Sequence, residues 1–252
     1  MTQKLLFVLI CITTYCATFS QTVTIEYSEQ HNVNTASIHE LPEPIRRYST
    51  AKRYFTLVIS NNESLYYKTP GQDPIIDLPI ENKGQYITYP DERYFYKNLT
   101  EGLMLFEVQE DYSTLKGKDT IPTYNWDLKS TETKKIKGYR CKIATLYKNN
   151  TYYVAWYTTE LPSGFGPDIF GGVPGTILSL KYGTTEYIAR SIKVKGENTA
   201  IERPVFNEQT FTYAEYLEKN KKRQAEQAQK YEIKEYGGIK LILKTEPETQ
   251  KD

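Results

Sequence analysis

Four times along this chain, two runs of strand-forming residues are separated by a short run that favours a turn. Residues 54–60 and 63–68 flank Asn61-Asn62, and 93–97 and 103–109 flank residues 98–102. Residues 141–148 and 152–159 flank Asn149-Asn150-Thr151, and 176–182 and 186–195 flank Gly183-Thr184-Thr185. Asparagine and glycine tolerate the left-handed backbone of tight hairpin turns, so each pair predicts two antiparallel neighbours. Residues 22–27 and 85–89 add two further strands. The 23 tyrosines fit that reading, because aromatic rings pack well on a pleated surface. Within 186–195, Ile188, Ile192 and Val194 alternate with Tyr187, Ala189 and Ser191, while Arg190 shares the face of the first three. The fold expected is mainly β: a strongly twisted antiparallel meander or half-barrel with one C-terminal helix. That helix is expected over 216–230, a run without glycine or proline, preceded by Thr212 and Glu215 at capping-box spacing. Few of its residues are apolar, which predicts docking by its first turns only. Residues 28–45 and 70–84 are polar and proline-dotted and are expected to be loops or lids. Residues 239–243 form a short expected strand.

The stretch 162–175 reads Pro-Ser-Gly-Phe-Gly-Pro-Asp-Ile-Phe-Gly-Gly-Val-Pro-Gly, with five glycines and three prolines. Flexible linkers of that content are filled out with small polar residues. Here Phe165, Ile169, Phe170 and Val173 occupy the intervening positions and need a dry place. The stretch is therefore expected to be an ordered loop clasped onto the sheet. Pro162, Gly166, Pro167, Gly171, Gly172, Pro174 and Gly175 would shape its backbone.

Residues 1–20 have the pattern of a secretory signal: Lys4, then an apolar run over 5–12, then uncharged Thr18 and Ser20 ahead of Gln21. Export is expected, followed by one domain over 21–243 and a disordered charged tail over 244–252. The chain carries 32 Lys and Arg against 31 Asp and Glu, and the leader removes only Lys4. A balanced chain lacks the basic excess that nucleic acid demands of a partner. Cys11 and Cys16 lie in the leader, so Cys141 is left without a cysteine partner within the chain.

Trp156 to Pro162, Gly166-Pro167 and Phe170-Gly171-Gly172-Val173-Pro174-Gly175-Thr176-Ile177-Leu178 together resemble the signature of the GLPGLI family, exported proteins of Bacteroidota with no settled activity. Upstream, Gly138-Tyr139-Arg140-Cys141-Lys142-Ile143-Ala144 is similar to that family's Gly-Tyr-x-Cys-x-x-Ala segment. The chain departs from it at Val173 and Thr176, where leucines are usual. Val173 preserves an apolar plug, while Thr176 suggests a less buried or hydrogen-bonded position. The resemblance implies a cell-envelope protein, and by association a partner in an outer-membrane transport complex. Strand count and loop are also similar to the half-barrel of lipoprotein-carrier-like folds, an analogy of fold alone.

Candidate chemistry is sparse. His31 and His39 are the only histidines, and their spacing with Glu29 or Glu40 matches no standard metal site. Ser163 departs from the Gly-x-Ser-x-Gly elbow at Pro162. Cys141 has cationic neighbours in sequence, yet strand alternation puts Arg140 and Lys142 on the opposite face and favours a buried thiol. Glu160 and Asp168 would have to face each other across a cleft to act as a carboxylate pair. Trp156, Tyr157, Phe165 and Phe170 are the candidate ligand or partner surface, with packing at the junction of sheet and loop as the alternative. No catalytic residue, metal or cofactor is assigned. The expectation is an exported binding or accessory protein without catalytic activity, in the periplasm or associated with the outer membrane, with a protein partner there and none in nucleic acid. The alternative is a carrier holding a lipid or another hydrophobic small ligand in a cavity of the half-barrel.

Overall fold

The computed structural model describes residues 21–32, 39, 43–72, 86–87, 92–110, 113–197, 199–206, 210–236 and 239–244. The expected leader (1–20), residues 245–252 of the expected tail, and most of the 70–84 segment lie outside them. The strands are β1 (Thr22–His31), β2 (Arg53–Ser60), β3 (Glu63–Lys68), β4 (Tyr86–Ile87), β5 (Arg93–Asn98), β6 (Leu103–Glu110), β7 (Ser113–Thr120), β8 (Thr133–Ile136), β9 (Tyr139–Lys148), β10 (Thr151–Thr158), β11 (Thr176–Tyr182), β12 (Thr185–Lys195), β13 (Tyr231–Tyr236) and β14 (Ile239–Lys244). Among the described residues two helices accompany them, α1 (Glu43–Thr50) and α2 (Tyr213–Lys230).

Eleven strands form one open antiparallel sheet in the order β7-β6-β5-β3-β2-β1-β12-β11-β10-β9-β8. The fold is mainly β, a twisted meander or half-barrel, as the hairpin pattern requires. All four turn-bounded pairs are present, with Asn61, Asn62, Asn149, Asn150 and Gly183 at positive φ. The expected strands near 85–89 and 239–243 appear as β4 and β14, which join β13 in a small second sheet, and β13 and α1 add to the elements the sequence pattern shows.

The interior is built from cross-strand rows. Val23, Ile25 and Tyr27 alternate along β1, with Phe55, Leu57 and Ile59 opposite them on β2, and all six are fully buried. Rings continue the layer: Phe55 stacks on Tyr66 at 5.3 Å, Tyr66 meets Phe95 at 6.4 Å, and Phe95 meets Phe106 at 6.2 Å. Helix α2 closes over this end, with Tyr213 at 5.4 Å and Tyr216 at 6.3 Å from the Phe106 ring. Its capping box is formed: Thr212 N–H donates to Glu215 Oε2 and Glu215 N–H to Thr212 Oγ1. Leu217, one turn on, is already exposed.

Strand β12 differs from the simple alternation. Tyr187 and Ala189 face the core and Ile188 faces out. The register then shifts, pairing Ser191 with Glu26 but Ala189 with Tyr27, so Arg190 is the extra residue of a bulge. Past it, Ile192 and Val194 pair with Ile25 and Val23; Ile192 packs against the core, while Val194 near the strand end is exposed. The guanidinium of Arg190 lies outside, 4.2 Å from the Tyr54 ring centroid. The bulge thus resolves the conflict of an arginine sharing a face with three apolar residues.

Strand β7, Ser-Thr-Leu-Lys-Gly-Lys-Asp-Thr, has little strand character of its own. Its centre accommodates the neighbouring ring: Gly117 stands opposite Phe106, and a Cβ there would lie 1.9 Å from the ring. Gly117→Val is expected to push the Phe106 ring off Tyr213 and Tyr216 and to cost about 2 kcal/mol, as overpacking does. Denaturant melts of the two proteins check this.

Candidate functional site

The loop over 162–175 is ordered by its own backbone. Gly164 N–H is shared between the carbonyls of Val173 and Gly175, at 3.1 and 2.9 Å, and Gly172 N–H returns to Gly164 O at 3.1 Å. Ile177 N–H reaches Phe165 O at 2.9 Å, and Phe165 makes a parallel bridge with Thr176. The Thr176 hydroxyl is fully buried and donates to Pro162 O. Of the two explanations for a threonine at this position, hydrogen bonding holds and lower burial does not. The glycines serve close approach: a Cβ at Gly171 would lie 2.2 Å from Gly164 O, and one at Gly175 would lie 2.0 Å from Thr158 O. Gly172 serves conformation instead, with φ +78 and open space around it.

Side chains from the sheet and from the segment between β7 and β8 grip this loop. Trp126 Nε1 donates to Gly171 O at 2.9 Å and Lys97 Nζ to Phe170 O at 3.0 Å. Asp168 sits at φ +55, held by Arg93 Nη1 at 2.6 Å and by the Tyr187 hydroxyl at 3.1 Å. The other end of the Arg93 guanidinium pairs with Glu29, and its Cζ lies 4.3 Å from the Phe55 ring centroid. Glu29 in turn accepts from Tyr187 and lies 3.2 Å from His31 Nε2. Two buried carboxylates are thus bridged by one arginine, with a tyrosine hydroxyl between them. Burial alone would raise the Glu29 carboxyl, but Arg93 and His31 outweigh it and hold it at about 2.

Lys97 shares one face of β5 with Arg93 and Phe95 and is only 1% exposed. Burial pushes its ammonium down to about 7, against a smaller upward pull from Asp168. In the unfolded chain the group keeps its ordinary 10.5. Between about pH 7 and 10.5 the unfolded chain therefore holds a proton that the fold does not, and stability gains from this group as pH rises. The slope is at most about 1.4 kcal/mol per pH unit. Urea melts of the parent and Lys97→Met at pH 7.5 and 9.5 should show the parent gaining on the variant at the higher pH.

The aromatic residues nominated as a ligand or partner surface are corrected by their burial. Phe165, Phe170 and Tyr157 lie in the core. Phe170 is the hub of a second ring cluster, 5.3 Å from Tyr124, 5.9 Å from Tyr153 and 5.2 Å from Tyr182. Trp156 is partly covered, with Lys134 Nζ 4.3 Å from its ring centroid. Rings flanked by glycine fill the space that the glycines leave, so the packing alternative holds.

The remaining candidates are dispersed. Cys141 is buried and its thiol is pushed up to about 11, chiefly by burial. Ser163 Oγ donates to Val173 O at 3.3 Å. Glu160 is exposed and accepts from Arg140 N–H, so it does not pair with Asp168. Among the described residues no three metal-ligating side chains cluster. The buried set of Glu29, Arg93, Lys97, Asp168 and Tyr187 is not evident from the sequence. Its one signal is alternation: Arg93 and Lys97 share the face of Phe95.

On the inner face of the sheet Tyr66, Phe95 and Phe106 are buried, and two open grooves lie on the described surface. One, of about 550 Å³, borders the outer side of the loop at Gly164, Gly172, Val173 and Pro174 and reaches Leu99 and Leu128. Another, of about 540 Å³, lies between residues 123–127 and the β9–β10 hairpin.

No family model matches the chain, and no curated protein matches it. Among solved structures it is similar to PNGF-II. The P21 crystal form is 20% identical with a TM-score of 0.51, covering 79% of this chain and 32% of that one. The C2 form is 18% identical with a TM-score of 0.50, covering 82% and 33%. The chain thus spans about a third of the length of PNGF-II, and the likeness is one of fold.

Proposed function

We propose that the chain is an exported, non-catalytic binding or accessory module of the cell envelope, which displays its clasped loop to a protein partner of the periplasm or outer membrane. The observation that carries this reading is the division of labour within the loop. Phe165, Phe170, Val173 and Asp168 are sunk into the sheet, while Gly172 and Pro174 stand exposed beside an open groove. A loop fixed from below and bare above is pre-organised for contact, which lowers the ordering cost of binding. The burial of Tyr66, Phe95 and Phe106 on the inner face supports this module over a lipid carrier, whose ligand would need the space that these rings occupy. The leader pattern and the resemblance to the GLPGLI signature support the envelope location, with an outer-membrane transport complex as the partner.

The test is affinity capture by the full chain from envelope extract, run beside a Leu128→Glu, Pro174→Glu variant that melts at the parent's temperature. An envelope protein recovered by the parent, lost by the variant and confirmed by reciprocal capture is the expected result. Co-purification of a lipid, or capture that the variant leaves unchanged, overturns the reading.

A further inference from the structure

The groove beside the β9–β10 hairpin differs in its lining from the groove beside the loop. Tyr147 and Tyr152 are cross-strand partners, so their rings leave the hairpin on one side. They are 66% and 58% exposed, although large apolar surface normally seeks cover. The turn fixes them: Asn149 and Asn150 hold positive φ, and the Tyr147 hydroxyl donates to Asn150 Oδ1 at 3.3 Å. The opposite wall is the segment bearing Tyr124, Asn125 and Asp127. It is pinned to the sheet by two backbone hydrogen bonds, Asp127 N–H to Thr145 O at 2.7 Å and Thr145 N–H to Asp127 O at 3.0 Å. Lys148 closes one end, its Nζ 5.9 Å from the Tyr124 ring centroid.

Two exposed rings on rigid backbone, faced by an amide and a carboxylate, match a ligand with apolar faces and a hydroxyl rim. A pyranose ring is such a ligand: its C–H faces lie on aromatic rings and its hydroxyls pair with Asn and Asp. The other ligand classes fit less well. An extended peptide added as a strand needs unpaired edge backbone, and here the Asp127–Thr145 bonds already use it. An anion would meet the Asp127 carboxylate. A lipid tail would need an enclosed apolar space, and this groove is open, with Asn125, Asp127 and Lys148 on its walls.

We infer that the groove formed by Tyr124, Asn125, Asp127, Tyr147, Lys148 and Tyr152 binds a neutral oligosaccharide, with Tyr147 and Tyr152 as the stacking platform and Asn125 and Asp127 as the hydroxyl partners. At about 540 Å³ it falls within the size range of small-ligand sites. This goes beyond the accessory role and stands apart from it, since the partner is assigned to the groove beside the loop.

The test titrates the full chain with cellotetraose, xylotetraose, maltotetraose, mannotetraose and chitotetraose, read by calorimetry and by saturation transfer to the sugar protons. At least one should bind with a dissociation constant near or below about 1 mM. Tyr147→Ala and Tyr152→Ala should each weaken it about tenfold, while Tyr147→Phe and Tyr152→Phe stay within about threefold because the stacking face remains. More than half of each ring is in solvent, so the variants should melt with the parent. The Leu128→Glu, Pro174→Glu variant should bind the sugar as the parent does, which separates failure here from failure of the partner reading. No binding by any of the five at about 10 mM, or binding that both alanine variants leave unchanged, overturns the inference.

Discussion

Arg93→Met is expected to be among the most damaging substitutions in this chain, costing about 3–5 kcal/mol. It leaves Glu29 and Asp168 buried without the cation that bridges them, and removing one partner of a buried pair strands the other charge. Small domains have only about 5–15 kcal/mol in all, so the variant should lie near the edge of folding at neutral pH. The penalty should also depend on pH. In the parent, Glu29 is held at about 2 against an ordinary 4.5, so its contribution is fully present above about pH 4.5 and is lost as pH falls through 2. The variant lacks that contribution, and the gap between the two proteins should narrow on acidification. Adding Glu29→Gln and Asp168→Asn to the methionine variant should recover part of the loss. Urea melts across pH 3–7 for the three proteins measure all of this; a gap independent of pH would show that the arginine matters only for packing.

Gly175→Val should be comparably severe, and Gly172→Val should not. At Gly175 the added Cβ falls 2.0 Å from Thr158 O and 2.6 Å from Thr158 C, both main-chain atoms of β10. No rotamer relieves a backbone collision, so the loop must lift away from β10 and take the core contacts of Phe165 and Phe170 with it. A loss of about 4 kcal/mol or more is expected, the range reserved for a broken core. At Gly172 the Cβ meets open space, and only the left-handed backbone is strained, at about 1–2 kcal/mol. Thermal melts of the two variants should rank in that order. Equal melting temperatures would show that the loop accommodates itself without its bond to the sheet.

The hairpins are legible in the sequence because their turns carry residues that few other backbones favour, and the helix because Thr212 and Glu215 advertise its start. Strand β7 is not, since its Lys and Gly have no preference for a strand and its centre accommodates the Phe106 ring of the neighbouring strand. The loop is legible as packed, but not the side from which it is held. Arg93, Lys97 and Glu29 look like surface charges in one dimension. They are interior because each lies two residues from an aromatic neighbour, Tyr27 or Phe95, and shares its face on a strand whose inward side is set by the whole sheet. Asp168 gives no sign of the left-handed backbone it holds, which requires the arginine 75 positions before it in the chain.

The strand order has a consequence for how such a chain comes to be finished. The sheet is two meanders, one running outward from β1 and the other ending in β12, and these two strands are the seam between them. A polypeptide delivered amino end first presents β1 early with one flank unpaired, and nothing can seal that flank until residues 185–195 arrive. Until then the front half is a template for any stray strand. The slowest step in completing such a sheet should therefore be the late meeting of its two ends.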